Sequence, residues 1–145
     1  MVRYAGLLGT DEHGKSTGWA DIHPRYFTAN ADPDVYVVGD AMGAVSTQFG
    51  HYPKSAHVAH AIGKIVARNI AERVAGKEVV PVLPDNLCYM MVNGDPQEEI
   101  SVEFEYELGP DGTILQTQID MDVRTSDLVK LDFEWINGRF NDFIL

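Results

Sequence analysis

The sequence is short of the features that mark several large classes of protein. It has one cysteine, Cys88, so no disulfide can form within the chain and a disulfide scaffold is excluded. Basic residues are few, 11 Lys and Arg against 22 Asp and Glu, giving a formal charge of -11. Nucleic acid is therefore not an expected partner, because duplex binding relies on Lys and Arg neutralising phosphates. No apolar run reaches the roughly 18–20 residues of a membrane span. The longest candidate, 56–75, is interrupted by His57, His60, Lys64, Arg68 and Glu72. The first residues show no basic segment followed by an apolar stretch, as a secretory leader would. There is no internal repeat, no Ser-His-Asp pattern, no Walker-type loop and no Gly-x-Gly-x-x-Gly.

What is present suffices for a core: 145 residues, 45% hydrophobic and 23% charged. The length suits one domain and is short for an enzyme that holds a dinucleotide on one lobe and a second substrate on another. Residues 1–34 are rich in turn signals, with room for a short strand around Trp19–Ile22. Val35-Tyr36-Val37-Val38, between Pro33-Asp34 and Gly39-Asp40, has the composition of a strand buried on both faces. A Gly-containing loop runs to Tyr52. From Lys54 to about Ala75 the apolar positions Ala56, Ala59, Ile62, Ile65, Val66, Ile70 and Val74 keep helical spacing, with Pro53 at the start and Gly76 at the stop.

The proline-punctuated stretch 79–84 marks a boundary, so the expected domains are 1–78 and 79–145. Beyond it the period becomes two. Ile100, Val102, Phe104, Tyr106 and Leu108 alternate with Ser101, Glu103, Glu105 and Glu107, predicting a strand with an acidic outer face. After the turn at 109–112, Leu115, Thr117, Ile119, Met121 and Val123 alternate with Gln116, Gln118, Asp120 and Asp122, completing an antiparallel hairpin. In 126–145, Leu128, Leu131, Trp135, Ile136, Phe140 and Phe143 are spaced as in a helix, with a break expected at Asn137-Gly138.

The strongest candidate site is Asp34–Gly43. A buried strand ending in Gly39-Asp40 puts a carboxylate beyond the carboxyl end of the strand, where open α/β sheets bind ligands; the same dipeptide also serves as a simple turn. Its context decides what it resembles. The order GWADIHPRYFTANADPDVYVVGDA, a loop, then PKSAHVAHAIGKIVARNI resembles the last part of the flavin-binding region of FAD-dependent pyridine nucleotide–disulfide oxidoreductases. The segment NLCYMMVNGDPQEEISVEFEYELGPDGTI, the PKS at the helix start and the aromatic tail FEWINGRFNDFIL are similar to the flavoprotein subunit of flavocytochrome c sulfide dehydrogenase. Leu87, Met90 and Ile62 depart from that family's Thr, Ser and Gln, which bears on the substrate more than on the flavin.

The resemblance implies a fold of α/β plus α+β type: the terminal strand and helix of a Rossmann-like FAD-binding domain, then a small domain with an antiparallel hairpin and short helices. It implies FAD contacts from Gly39, Asp40 and Ala41, with Asp40 on the ribityl chain. Lys54 and Ser55, at the positive end of the helix dipole, would face the flavin pyrimidine ring. Cys88 becomes one of two redox-active cysteines that take up sulfide sulfur and pass two electrons to FAD. From the residues alone, a buried structural thiol is the alternative reading of Cys88. The resemblance further implies an N-terminal FAD-binding portion, a cytochrome c subunit as electron acceptor and a periplasmic parent. Lacking the Gly-rich fingerprint, the chain by itself is expected to bind FAD weakly or not at all and to be inactive alone.

Relatives of the sulfide:quinone oxidoreductase or type II NADH dehydrogenase kind would share the Gly-Asp-Ala and helix signals, but with a basic amphipathic C-terminus. A non-catalytic assembly module is the alternative from another class, and strand edges left open would favour self-association. His51, His57 and His60 allow a metal site to be imagined, but no matching set of ligands surrounds them, and no metal is expected. The row Glu103, Glu105, Glu107 is a solvated strand face or a docking patch for the basic rim of a cytochrome.

Overall fold

Local chemistry sets the first turns. Asp11 Oδ1 accepts from the backbone N–H of His13 and of Lys15, closing a tight connection between β1 (Leu8–Thr10) and β2 (Ser16–Ala20), which pair antiparallel. A second antiparallel pair joins β3 (Thr28–Ala29) to β4 (Asp32–Tyr36). This computed structural model describes residues 2–144. The side chains of Asp120, Met121, Asp122 and Phe143, which belong to the alternation and helix pattern expected from sequence, lie outside the described residues, as does Leu145.

The strand expected at 35–38 is displaced toward the N-terminus and is not buried on both faces. Asp32, Pro33 and Asp34 are exposed, Val37 is buried and Val38 is 42% exposed. β4 has one partner strand, so its apolar end lacks the neighbours that would cover both faces. A single 3-10 turn, Gly39–Ala41, follows it.

Helix α1, Ala56–Val74, forms where its spacing predicts. Ser55 caps it, its Oγ accepting from Val58 N at 3.3 Å. Its inward face is Val58, Ile62, Val66 and Asn69. At its end Gly76 takes φ +68, Gly76 N donates to Arg73 O and Lys77 N to Glu72 O, so two terminal carbonyls are satisfied in a Schellman arrangement. The three aliphatic side chains buried along α1 each contribute about 1.5–3 kcal/mol.

Strands β5 (Asn86–Gly94), β6 (Gln97–Leu108) and β7 (Ile114–Thr125) form a sheet in that order, and helix α2 (Asp127–Ile144) closes the chain. The described fold is therefore α+β, with two helices and antiparallel sheets. Helix α2 runs through Asn137-Gly138 without the break expected there. One glycine inside a helix costs only about 1 kcal/mol, which flanking helix formers and burial of Leu128 and Val129 outweigh.

The chain divides into two compact units. One is Met1–Asn86 with Glu105–Thr117; the other is Leu87–Phe104 with Gln118–Leu145. The strands β6 and β7, each 12 residues long, contribute to both units. The core of the first unit gathers Ala20, Ile22, Phe27, Ala29, Val37, Met42, Val45, Tyr52, Val58, Ile62, Val66 and Ile114. Phe27 is its fully buried anchor and sits at φ +61, a left-handed conformation costing about 1–3 kcal/mol that its burial offsets. In the second unit the faces of β6 differ from expectation: Glu99 and Ser101 are buried, while Ile100, Val102 and Phe104 are half-buried. The acidic outer face survives at Glu105 and Glu107.

Candidate functional site

The first unit brings the end of β4 and the start of α1 to one place. Gly39 adopts φ +66, available to glycine at little cost, and starts the 3-10 turn closed by Met42 N donating to Gly39 O. Gly43 then passes so close to β2 that a Cβ there would lie 2.4 Å from Ala20 O. That approach lets Gly43 N donate to Ala20 O at 2.9 Å and seats Met42 beside Ala20 in a parallel bridge. The turn carrying Asp40 and Ala41 is in this way held against β2, with the Asp40 side chain exposed.

Lys54 completes the arrangement from the helix side. Its Nζ donates to Met42 O at 2.6 Å and to Asp40 O at 3.1 Å, and lies 5.6 Å from the ring centre of Trp19. Partial burial lowers its pKa, and the Asp40 carboxylate acts in the opposite direction. Trp19 also meets the His51 ring, 4.9 Å between centres. Burial lowers the His51 pKa, and the Lys54 charge lowers it further. Ser55 is committed to structure: besides capping α1, its hydroxyl donates to Asn86 Oδ1 at 2.9 Å.

Gly39, Asp40, Lys54 and Ser55 share the lining of one small cavity with Met42, Tyr52 and Val58. Its interior is about 10 Å³, room for no more than one water. The Tyr52 side chain is buried there, its hydroxyl has no hydrogen-bond partner and burial raises its pKa. Tyr52 packs edge-on against Tyr106, centres 4.7 Å apart, with Phe49 beside both.

Of the residues singled out from sequence, Gly39, Asp40, Lys54 and Ser55 meet, and Ala41 stands in the same turn. Cys88 belongs to the second unit, half-buried on β5 as a thiol. The histidines point to different partners: His57 Nε2 is 3.3 Å from Asp85 Oδ1, whereas His51 stacks on Trp19. Among the described residues no three His, Cys, Asp or Glu side chains are placed to hold a metal. No described helix is long and apolar enough to cross a membrane. The contacts of Trp19 with His51 and Lys54, and the buried Tyr52 hydroxyl, were not apparent from spacing, since Trp19 comes from β2, about thirty residues before the segment that carries His51, Tyr52 and Lys54. Compared with models of known families and with curated proteins, the sequence matches none.

Proposed function

We propose that these residues form the flavin-facing strand end and helix of an FAD-dependent oxidoreductase of the sulfide dehydrogenase kind. The observation that carries the reading is the Lys54 ammonium, tied to the carbonyls of Asp40 and Met42 at the N-terminus of a capped helix of 19 residues. It joins a fixed cation and the positive end of the helix dipole at one edge with the exposed Asp40 carboxylate at the other. The residues fit such a group on two counts. Gly39 presents bare backbone, and Lys54 offers a positive charge for a ring that becomes anionic on reduction. The cavity of about 10 Å³ is too small to enclose a ring system, so a flavin would lie over this surface, against Trp19 and Lys54. Ser55 would act by holding the helix start in place.

FAD, when bound, supplies the two-electron acceptor. The chain's share is positional: Asp40 accepts hydrogen bonds from sugar-chain hydroxyls, and Lys54 and α1 favour negative charge at the ring edge. Cys88 would supply one thiol of a sulfide-oxidising pair. The second thiol and a Gly-x-Gly-x-x-Gly loop are not in these 145 residues and would come from another segment or subunit. A periplasmic parent and a cytochrome c partner belong to the same proposal. Reading the coding sequence that flanks this chain tests it. A Gly-rich fingerprint and a second cysteine in the same or an adjoining frame support the reading, and the lack of both there removes it.

A further inference from the structure

The second unit holds a buried acid with an unpartnered oxygen. Glu99, on β6, is 2% exposed and its Oε2 has no hydrogen-bond partner. Alternation places it on one face of the strand with the buried Ser101 and with Glu103. From α2, the Asp132 carboxylate acts on it directly. From β5, the Tyr89 phenol is flanked by Asp132, Glu99, Glu103 and Glu134, all of which oppose its ionisation behind the larger effect of burial. The cations of the unit are engaged elsewhere among the described residues. Arg124 on β7 pairs with Glu98, on the other face of β6; Lys130 pairs with Asp127, and Arg139 with Asp142 and the Trp135 ring. A buried carboxylate that faces a second carboxylate, with no cation beside it, is accommodated by keeping a proton.

We propose that Glu99 and Asp132 form a pH-operated latch that seats α2 on the sheet while Glu99 is protonated and loosens it when Glu99 ionises. The latch is independent of the flavin reading, since all its residues lie in the second unit. With the proton in place Glu99 is neutral, and Leu128 and Val129 of α2 stay buried. Ionisation sets a second negative charge against Asp132 on a side chain shielded from solvent, and lifting α2 relieves it by admitting water. Burial first, and the Asp132 charge second, raise the Glu99 pKa above its ordinary 4.5. The seated form therefore binds the proton more tightly than the lifted form. The latch is fully closed below pH 4.5 and weakens as pH rises through the raised value.

Amide hydrogen exchange on the full chain tests this, each α2 rate being divided by its intrinsic chemical rate at that pH. Protection of α2 falls as pH rises from about 4 to about 8, by about tenfold for each unit by which the pKa is raised, and α1 does not follow it. Glu99→Gln keeps the shape and removes the charge, so its α2 protection stays constant over the range. Asp132→Asn ends the fall at a lower pH without abolishing it, because burial is the larger cause. A flat wild-type profile, or the same fall in Glu99→Gln as in wild type, overturns the latch. Should Glu99→Gln fail to fold, an Asp132→Asn profile identical to wild type overturns it.

Discussion

Lys54 is tied to Met42 across the mouth of α1, its ammonium 2.6 Å from the Met42 carbonyl oxygen. This one side chain fixes the separation between the turn after β4 and the first turn of the helix, and its charge falls on His51. Lys54→Met is expected to lower stability by about 1 kcal/mol, the value of a charge-assisted hydrogen bond reduced for its exposed setting. A urea midpoint reads that loss. In the same variant the His51 resonance titrates at a higher pH, yet still below 6.5, because burial is the larger cause of its shift. An unmoved His51 titration would separate the two residues.

Gly43 and Gly50 make a matched contrast. A Cβ at Gly43 meets the Ala20 carbonyl oxygen at 2.4 Å, and that oxygen is backbone in a strand that cannot swing aside. Gly43→Ala is expected to cost about 2–4 kcal/mol and to break the Gly43 to Ala20 hydrogen bond. At Gly50 the space is open and only the φ of +76 opposes a side chain, so Gly50→Ala costs about 1 kcal/mol. Thermal unfolding of the two variants checks the order, and a smaller loss at Gly43 would contradict the close approach.

Tyr52 carries a hydroxyl that the structure leaves without a hydrogen bond, inside a cavity with space for one water. Removing a buried unsatisfied polar group is neutral or stabilising, so Tyr52→Phe should raise stability by up to about 1 kcal/mol while the ring contacts with Phe49 and Tyr106 persist. A loss above that size would mean that a water holds the hydroxyl in place. Chemical denaturation distinguishes the two outcomes.

Gly138 shows how far local signals can be read. Asn137-Gly138 carries the composition of a turn, and the continuous helix across it comes from the residues on both sides, with Leu128, Val129, Trp135 and Ile136 setting one inward face. Nothing lies within 4 Å of a Cβ built at Gly138. Gly138→Ala is therefore expected to stabilise by about 0.5–1 kcal/mol, measured as a higher midpoint for α2 by circular dichroism.

The same limit explains the rest of the comparison. Helix α1 was legible to within two residues because the proline at its start, its periodicity and its glycine stop agree. The period of β6 was legible too, but its inner face was not. Alternation names two faces without saying which one is covered, and here the buried positions are Glu99 and Ser101. At the candidate site, Gly39 and Asp40 were singled out by the end of the expected strand, and Lys54 and Ser55 by the family resemblance. Trp19 joins them from β2, distant in sequence, and its contacts with His51 and Lys54 arise only on folding, which no spacing encodes.

The two units should respond to pH in opposite directions. In the first, His23 and His51 both have lowered pKa values. Burial is the main cause for each, aided by Arg25 at His23 and by Lys54 at His51. A histidine with a lowered folded pKa binds protons more tightly when unfolded, so it favours folding above pH 6.5 and loses that contribution as pH falls through 6.5 toward the folded value. Glu99 in the second unit acts the other way, losing its contribution as pH rises from 4.5. With Trp135→Phe, Trp19 fluorescence reports the first unit: its urea midpoint should drop between about pH 7.5 and about pH 5.5, and His23→Gln with His51→Gln should flatten that drop. With Trp19→Phe, Trp135 on α2 should report the reverse slope as pH rises from 4.5 through the raised Glu99 value. Parallel slopes from the two tryptophans would rule out the assignment of these groups as the titrating ones.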